Sequence, residues 1–556
     1  MADFAAIVEI AVVLAIILAI AAPFGDYLGR VYTNRPAFGD RILLPVERRV
    51  YRVLGVSARE SMGFREYAGA FLLFSALTAA WMFAMLTFQS DLFPQPTGFT
   101  PMSWDTTVHT TASFLTATDF THFAPEVNMT PWGNLLALGV PMFLAPAAAM
   151  SVVAAFARGF IRKDGTLGNF YVDIVRSLTR VLLPLALVGG VVLVVLSVPD
   201  AFPPPLWAGP HASYPGFAGP VAGFQSIVYL GSNGGAWTSA NVASSLANPS
   251  IWTQDFGLGL FLLLPFAFPF AFASIVRRPG EAWPYLGTIL IVFVAGLALF
   301  LAFEGPPGLS LSGYRFGVVP DSSFQFASVY SNTGSNNLNI AGLAPIPQMS
   351  LLFGMFTQNT PGSDGVGFGT LLVFALLAIF IGGLMVGRTP EYLGKRISLT
   401  SVKWTALILL YHPVAILIPT AAAYIGGFVP STSSFATVPF CAGSVCSNAH
   451  AFTSVLYEFT SEAANNGSGM SSFHDVTPFF NLVGAAVILI GRFLPMVAML
   501  KIGSEFARSN SLPPGPGTLE TRSLTFTLYL TLLLIVISAL LFLPVIALGP
   551  LSQIGG

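Results

Sequence analysis

Long apolar segments recur along the chain, each close to the roughly 20 residues that a helix needs to cross a bilayer. One of them, Pro345 to Val386, is too long for a single crossing and is broken by the polar stretch Gln358 to Gly369, which predicts two half-helices around a membrane-embedded loop. The ten predicted spans are Phe4 to Ala22, Ala68 to Phe88, Trp132 to Ala157, Val181 to Val198, Phe256 to Val276, Trp283 to Phe303, Pro345 to Val386, Trp404 to Gly426, Pro478 to Leu500 and Leu524 to Leu548.

Four polar stretches lie between an outgoing span and the next incoming one. Irregular backbone is tolerated at membrane depth only where it is buried in protein or lines water. The stretches are Thr116 to His122, Gly231 to Gly235, Asn332 to Asn337 and Ser461 to Gly469. Each follows a short amphipathic segment, and these segments are Asp105 to Leu115, Gly223 to Leu230, Asp321 to Tyr330 and Ala449 to Thr460. The order span, re-entrant pore helix, filter loop, span therefore occurs four times, although ordinary Gly/Asn-rich outer turns are the simpler alternative for any one stretch.

This pattern predicts an all-α polytopic membrane protein with ten transmembrane helices, four repeats around a central pore and an extra helix at each end. We expect a single transmembrane domain over residues 1–556. Its parts are the first helix with a basic loop at 1–63, the repeats at 64–157, 172–276, 283–386 and 404–500, and the last helix at 522–556.

The basic residues give the orientation. Arginines crowd the segment between the first two spans, and the positive-inside bias places that segment in the cytoplasm. With this orientation only Arg315, of 24 Lys and Arg residues, falls in an outside segment. Both termini are therefore expected outside.

The composition agrees with a membrane protein and narrows the function. The chain has 54% hydrophobic and 9% charged residues, far from the roughly 25% charged of soluble domains. Its few basic residues are scattered, so nothing supports nucleic-acid binding. The two cysteines, Cys441 and Cys446, either form a small disulfide in an outer loop or remain free thiols.

Loops of this kind suit a dehydrated cation. Rings of backbone carbonyls can replace the hydration shell of a cation without fixing a full negative charge. Pointing successive carbonyls at one axis requires backbone angles that glycine reaches easily, as at Gly234, Gly235, Gly334 and Gly467.

Several segments carry a resemblance to a known family. They are Gly387 to Ile397 (Gly-Arg-Thr-Pro-Glu-Tyr-Leu-Gly-Lys-Arg-Ile), Leu230 to Gly235, Ala463 to Ser468, Ala112 to Thr118 and Gly491 to Met496. The chain resembles the A chain of Kdp-type potassium-transporting ATPases. The resemblance implies a channel-like potassium subunit related to the Trk and Ktr translocators, in the bacterial cytoplasmic (inner) membrane. It implies as partners a P-type ATPase B subunit, a single-span C subunit and a small accessory helix subunit, with ATP and Mg used only by the ATPase subunit.

Carried over to this chain, the resemblance implies a potassium filter of four triplets. They are Thr116, Ala117 and Thr118; Ser232, Asn233 and Gly234; Asn332, Thr333 and Gly334; and Asn465, Asn466 and Gly467. The chain departs from the family at Ala117 and Asp119, where Asn is common, and at Asn332-Thr333, where Ser-Cys is typical. Asp119 either raises the local cation concentration or caps a turn, and we favour the cap.

Two further elements are candidates for control of the ion path. Arg492 lies deep in the ninth predicted span, where a charge is expensive, and is expected to plug the path beneath the filter; the alternative is an arginine that snorkels to the inner interface. The embedded loop is the expected gate, with a simple flexible kink as the alternative. Five residues should deny that loop a regular helix: Pro361, Gly362, Gly365, Gly367 and Gly369.

The sequence contains no ATPase motif. There is no Walker loop, and the Lys-Asp-Gly-Thr at 163–166 lacks the order of a P-type phosphorylation site, so the isolated chain is not expected to hydrolyse ATP. The six histidines show no metal-ligand spacing of the zinc-helix type, and we predict no metal site besides the transported potassium. The alternative function is an autonomous cation channel or an ion-coupled symporter of the Trk or Ktr type.

Overall fold

The computed structural model describes residues 2–203, 205–209, 213–214, 219–304, 313–358, 360–385, 387, 389–429, 444–470, 474–510 and 519–554. Within them, ten helices are long and apolar enough to cross a membrane, and we number them spans 1 to 10. They are Phe4–Tyr32, Phe64–Leu92, Pro131–Gly159, Phe170–Val195, Ile251–Val276, Pro279–Glu304, Val366–Met385, Leu399–Ile425, Pro478–Arg508 and Leu524–Gln553. The all-α, ten-span prediction is confirmed.

Four shorter helices precede the four predicted filter loops. They are Trp104–Leu115, Val221–Leu230, Val318–Tyr330 and Ser444–Ala463, here called pore helices 1 to 4. Pore helix 4 extends three residues further than predicted, so the polar stretch that begins at Ser461 is helical as far as Ala463. The Ser461 hydroxyl, in the last turn of this helix, accepts a hydrogen bond from the Gly467 N–H, which ties the following loop back to the helix.

The remaining elements are short. The helices are Asp40–Val53, Pro125–Asn128 and Pro345–Phe356, and the 3-10 turns include Leu206–Ala208, Asn241–Ala243 and Ile340–Gly342. The strand Gln95–Pro96 pairs in parallel with Ser213–Tyr214, and Glu391–Tyr392 pairs antiparallel with Lys395–Arg396. Cys441 lies outside the described residues, as does the side chain of Cys446, so the disulfide expectation is not addressed.

Span 1 is longer than the predicted Phe4 to Ala22 because its C-terminal half packs tightly on span 5. A methyl group built on Gly25 would lie 2.4 Å from the Ala267 carbonyl oxygen, and one on Gly29 would lie 2.4 Å from Ser274 Cβ. Two glycines four residues apart let the helix backbones approach closely. Helices inside a bilayer gain no hydrophobic driving force from packing together, so close backbone contact of this kind favours their association.

A buried ion pair joins the C-terminal ends of spans 1 and 3 to the N-terminal ends of spans 2 and 4. Arg158 donates from Nη1 to Asp173 Oδ1 at 2.9 Å and to the Tyr32 carbonyl at 3.0 Å. Tyr67 donates its hydroxyl hydrogen to Asp173 Oδ2 at 2.8 Å. Charges in this setting persist only when paired and hydrogen-bonded. The network therefore holds spans 1 to 4 together.

The hairpin at 391–396 connects the ends of two spans. It lies within the segment that most resembles the Kdp family. The Lys395 ammonium donates to the carbonyls of Gly159 and Phe506, at 3.2 and 2.7 Å, and also to that of Arg162. These carbonyls belong to the C-terminal ends of spans 3 and 9, where a cation is favourable. Burial lowers the pKa of Lys395 to about 8.

Candidate functional site

The four predicted filter loops share one backbone conformation. Two residues after each pore helix comes a non-glycine residue with a left-handed backbone, which is uncommon in proteins. These residues are Ala117, Ser232, Asn332 and Asn465, with φ between 50° and 59°. The next residue in each loop donates its backbone N–H to a pore-helix carbonyl five residues earlier, at 2.8 to 3.0 Å. The loops are therefore four copies of one local structure.

This shared conformation moves the triplet of loop 1 one residue further along the chain than predicted. Ser232, Asn332 and Asn465 open the predicted triplets of loops 2 to 4, but Ala117 is the second residue of the predicted Thr116 to Thr118. The equivalent triplet of loop 1 is 117–119. Asp119 thus occupies the position of a glycine, with φ of 52°. The equivalence of 117–119 to the other triplets could not be recognised from the sequence, because an aspartate takes the place of the glycine found in the other loops.

The loops converge on Gly234. A methyl group built on this residue would lie 3.0 Å from the Thr333 carbonyl oxygen, 3.1 Å from that of Thr118 and 3.5 Å from that of Asn466. Each of these oxygens comes from a different loop. The structure thus brings all four predicted stretches to one point and turns three of their carbonyl oxygens towards the fourth.

Two more glycines are required by close contact. A methyl group on Gly334 would lie 1.9 Å from the Asn466 carbonyl oxygen, and one on Gly467 would lie 1.9 Å from the Thr118 carbonyl oxygen. Both glycines also have positive φ, at 74° and 92°. Any side chain at either position would displace a neighbouring loop.

Polar side chains brace the loops from behind. Asn465 donates to Thr118 Oγ1 at 2.9 Å, and Asn466 donates to Asn332 Oδ1 at 3.1 Å, so loop 4 is bonded to loops 1 and 3. Asn241 donates to the Gly234 carbonyl oxygen at 2.9 Å. Sequence reasoning missed Asn241, although it follows Gly234 by only seven residues.

Asp119 does not cap a turn. Its side chain is 1% exposed, and neither carboxylate oxygen has a hydrogen-bond partner among the described residues. The turn-capping interpretation that we favoured requires such a bond, so it is wrong for the described part of the chain. What remains is an unsatisfied acid within the filter loops.

Beneath the loops, Arg492 is paired. Its Nη2 donates to Asp364 Oδ2 at 2.7 Å, and the side chains are 4% and 0% exposed, so this arginine does not snorkel. Asp364 is held by a second bond, from Ser363 Oγ to Oδ1 at 2.8 Å. Sequence reasoning missed this partner. The signal was present, because a buried arginine needs a counter-charge and Asp364 is the one acid in the embedded loop.

Arg492 also lines a small cavity directly under the filter loops. The cavity has a volume of about 30 Å³ and is bordered by Asn332, Asn465, Gln358 and Gly367. A space of this size holds one water molecule or one ion. The arginine therefore stands next to a space under loops 3 and 4 that could hold an ion.

The embedded loop interrupts helical structure between Pro345–Phe356 and span 7, as predicted. It contacts the end of pore helix 3, because the Gly362 N–H donates to the Tyr330 carbonyl at 3.2 Å. Gly362 and Gly365 have positive φ of 78° and 106°. Gly367 and Gly369, however, lie in the first turn of span 7, so the prediction that they deny a helix is wrong.

On the opposite side, the loops open into a larger vestibule. This cavity of about 330 Å³ is lined by Gly234, Gly467, Asn241, Asn336 and Asp475. It contains two loop glycines and mostly neutral polar groups. An ion that enters this cavity reaches Gly234 and Gly467 directly, because both glycines line it.

Comparisons with known proteins agree across the chain. The family model described as potassium-transporting ATPase A subunit matches residues 11–554. A potassium-transporting ATPase potassium-binding subunit of Gloeobacter violaceus is 34% identical, over 99% of this chain and 98% of its own length. The protein of the same name from Nostoc sp. is 33% identical, over 98% of each chain.

A solved structure shares the architecture. The potassium transporter TrkH from Vibrio parahaemolyticus superposes with a TM-score of 0.52, covering 86% of this chain and 97% of its own, at 12% sequence identity. At this identity the likeness concerns the fold alone. It agrees with the predicted arrangement of four repeats with an extra helix at each end.

Proposed function

Because the chain belongs to the family of potassium-transporting ATPase A subunits, we propose that it is the potassium-selecting, channel-like subunit of an ATP-driven potassium importer. Two of its relatives are named as potassium-binding subunits. The isolated chain would not hydrolyse ATP, since the sequence lacks an ATPase motif. ATP and Mg would be used by the partner subunit.

The potassium site is the ring of filter loops. The observation that carries this assignment is the approach of the Thr118, Thr333 and Asn466 carbonyl oxygens to Gly234. Backbone oxygens aimed at one axis replace the hydration shell of potassium, and a rigidly braced ring discriminates among cations by size and field strength. The predicted filter residues all lie in these loops, with 117–119 as the proposed triplet of loop 1.

Arg492, its partner Asp364 and the glycines Gly362, Gly365 and Gly367 form the proposed plug and gate. The paired charge stands beside the cavity under loops 3 and 4. A cation that moved straight inward would meet the guanidinium, so the path turns sideways towards the ATPase subunit. Displacement of the embedded loop would move Asp364 and thereby change the field of Arg492.

The expected partners are the P-type ATPase B subunit, a C subunit near the outer mouth and a small accessory helix subunit. We place the chain in the bacterial inner membrane with both termini outside, on the distribution of Lys and Arg. The repeat boundaries remain those of the sequence analysis, with each repeat formed by two spans around one pore helix.

Substitution of Gly234 tests the filter. Gly234→Ser and Gly234→Asp place side-chain atoms against the Thr118 and Thr333 carbonyls, so we expect the apparent potassium affinity to fall about tenfold or more, with rubidium or ammonium admitted. Potassium-stimulated ATPase activity of the purified complex measures both effects. Gly259→Ser is the matched control, because a methyl group at Gly259 meets nothing within 4 Å. Unchanged affinity and ion preference in both Gly234 variants would remove the assignment.

The alternative function is an autonomous channel or symporter of the Trk or Ktr type, and the TrkH-like fold is compatible with it. The two functions differ in their energy source. Potassium-stimulated ATPase activity of the chain purified with its partners supports the first. Passive potassium flux through the isolated chain in liposomes supports the second.

A further inference from the structure

The helix Asp40–Val53 follows span 1 at the end where that span leaves the membrane. Residues 33–39 connect the two, and so short a connection keeps the helix at the membrane boundary. We call it the basic helix, because its sequence, DRILLPVERRVYRV, contains four arginines and two acids. None of its residues belongs to the proposed filter, plug or gate.

Both acids of the basic helix face the protein. Asp40 and Glu47 each form an ion pair with Arg180 of span 4, and Arg180 Nη2 donates to Glu47 Oε2 at 3.1 Å. Glu47 and Tyr51 are buried against the bundle. The acids therefore fix this helix to span 4, and every charge on its outward side is positive.

The outward side carries two separate stripes. With 3.6 residues per turn, each stripe is about 40° wide and lies about 120° from the face that holds Glu47. The basic stripe consists of Arg41, Arg48 and Arg52. The apolar stripe consists of Ile42, Val46 and Val53, and Arg49 lies between the two stripes. The helix thus has one face for the protein, one for apolar surroundings and one for negative charge.

Neither stripe is covered by the rest of the chain. Ile42 and Val53 are 73% and 87% exposed. All four arginines are exposed, and we find no ion pair for any of them among the residues that the structure describes. Exposed apolar residues aligned beside a row of arginines are typical of helices that lie in the interface of a membrane.

A bilayer surface satisfies both stripes at once. Acyl chains accept the apolar stripe, and the planar guanidinium groups match the oxygens of a headgroup phosphate. An acidic protein surface in water would neutralise the arginines but would leave Ile42 and Val53 in contact with water. The chemistry of the two stripes and their place beside span 1 therefore favour lipid over a protein partner.

We propose that the basic helix binds anionic phospholipids in the leaflet where span 1 ends. Arg41, Arg48, Arg49 and Arg52 contact the phosphates, and the apolar stripe lies among the acyl chains. In the predicted orientation this is the cytoplasmic leaflet. The bound lipid would hold the N-terminal half of span 4 in place through Arg180. This binding role goes beyond the proposed function, in which these arginines served only to predict the orientation.

Quenching by brominated lipids tests the proposal on the intact complex in nanodiscs. A fluorophore is attached to Val53→Cys in a background with Cys441→Ser and Cys446→Ser. Every disc contains phosphatidylglycerol and phosphatidylcholine in the same proportion, and only one of the two is brominated. We expect brominated phosphatidylglycerol to quench about twofold or more strongly than brominated phosphatidylcholine, because the arginines enrich the anionic lipid around the helix. Added salt should reduce this difference by screening the charges.

Three sets of substitutions locate the effect. Glutamine at all four arginines of the basic helix should abolish the difference between the two lipids, whereas lysine at the same positions should retain most of it, since the charge is kept. The matched control removes four exposed arginines outside the helix, and it should retain the difference: Arg59→Gln, Arg65→Gln, Arg277→Gln and Arg278→Gln. The salt dependence of the parent and the lysine variant decide the matter even if the first glutamine variant does not assemble.

Four results would overturn the proposal. An unquenched fluorophore would place the helix in water or under another subunit, and equal quenching by the two lipids would mean insertion without a preference for anionic lipid. Loss of the difference in the control set would assign it to net charge rather than to the basic helix. Removal of the difference by inorganic phosphate, beyond the effect of chloride at the same ionic strength, would indicate a site for free phosphate. Potassium takes no part in these measurements, so failure here would leave the proposed filter unaffected.

Discussion

Asp119 stands where the other three filter loops have glycine. Its left-handed backbone, with φ of 52°, allows loop 1 to follow the same path, because aspartate tolerates this conformation better than most residues. Its carboxylate is buried without a partner in the described structure. Burial raises the pKa of this carboxyl well above its ordinary value, so it adds negative charge to the filter only if a nearby cation keeps it ionised.

Asp119→Asn tests whether that charge acts on the ion. If the carboxylate is ionised near the bound cation, we expect the apparent potassium affinity to fall about tenfold, equivalent to about 1.4 kcal/mol. The measurement is the potassium dependence of ATPase activity in the complex. Asp91→Asn, an exposed acid at the end of span 2, makes the same charge change elsewhere. Equal affinities in the parent and Asp119→Asn would mean that Asp119 is neutral or too far away.

The Arg492 and Asp364 pair predicts strong coupling. Removing one partner of a buried pair leaves an uncompensated charge and costs about 3–5 kcal/mol, whereas removing both is much less harmful. Asp364→Asn should therefore lower the Tm of the complex more than the double variant Asp364→Asn with Arg492→Gln. Additive effects on Tm would show that the pair is not intact in the working protein.

Arg492→Gln alone tests the plug. Without the guanidinium we expect potassium to leak through liposomes containing the complex, or ATPase activity to run uncoupled from transport. Arg508→Gln, at the inner end of the same span, is the control. Normal flux and coupling in Arg492→Gln would contradict the plug.

At the scale of single residues, the sequence was informative where a rule is local. A charge inside an apolar span identified Arg492, and glycine next to Asn identified loops 2 and 4. Asp364 escaped, since it acquires its role from Arg492, which is distant in sequence.

Among the elements, the embedded loop shows that packing can override the low helix propensity of glycine. Glycine is about 1 kcal/mol worse than alanine inside a helix, which led us to place Gly367 and Gly369 in the loop. Gly369 is helical because Met499 fills its space, with the sulfur 2.7 Å from where a Cβ would lie. Gly365, in contrast, has φ of 106° and faces the Phe268 ring at 2.5 Å. Helix propensity therefore gave the wrong prediction for Gly369 and the right one for Gly365.

Gly365→Ala tests the embedded loop as a gate. The added methyl group meets Phe268 and strains the backbone by about 1–3 kcal/mol, so we expect slower potassium transport and a lower Tm. The control is Gly382→Ala in span 7, where the nearest atom lies 3.6 Å from the added methyl group. If both variants behave like the parent, the loop is a passive kink.

Across the whole molecule, hydropathy was sufficient to predict the ten spans, whereas the orientation predicted from charge stays a prediction. Span length and positive-inside bias depend on the bilayer rather than on tertiary packing. The convergence of the four loops needed the structure, because their spacing along the chain is unequal and loop 1 lacks the glycine. The inner ends of several spans were also underestimated, since helices there continue beyond the apolar segment into the buried ion-pair network.

The orientation of the molecule can be tested by labelling. In a background with Cys441→Ser and Cys446→Ser, we expect a membrane-impermeant thiol reagent to modify Phe202→Cys in intact cells with an opened outer envelope. Phe38→Cys should react only after the membrane is permeabilised. Both side chains are exposed, at 96% and 90%, so access to the reagent differs only by side. The reverse pattern would invert the topology.

In the proposed function, the four filter loops hold potassium at Gly234. Anomalous diffraction from potassium itself, at long wavelength on crystals of the complex, locates the ion without a substitute. We predict a peak enclosed by the carbonyl oxygens of Thr118, Thr333 and Asn466 next to Gly234. A potassium peak elsewhere in the chain, with none between these oxygens, would contradict the account.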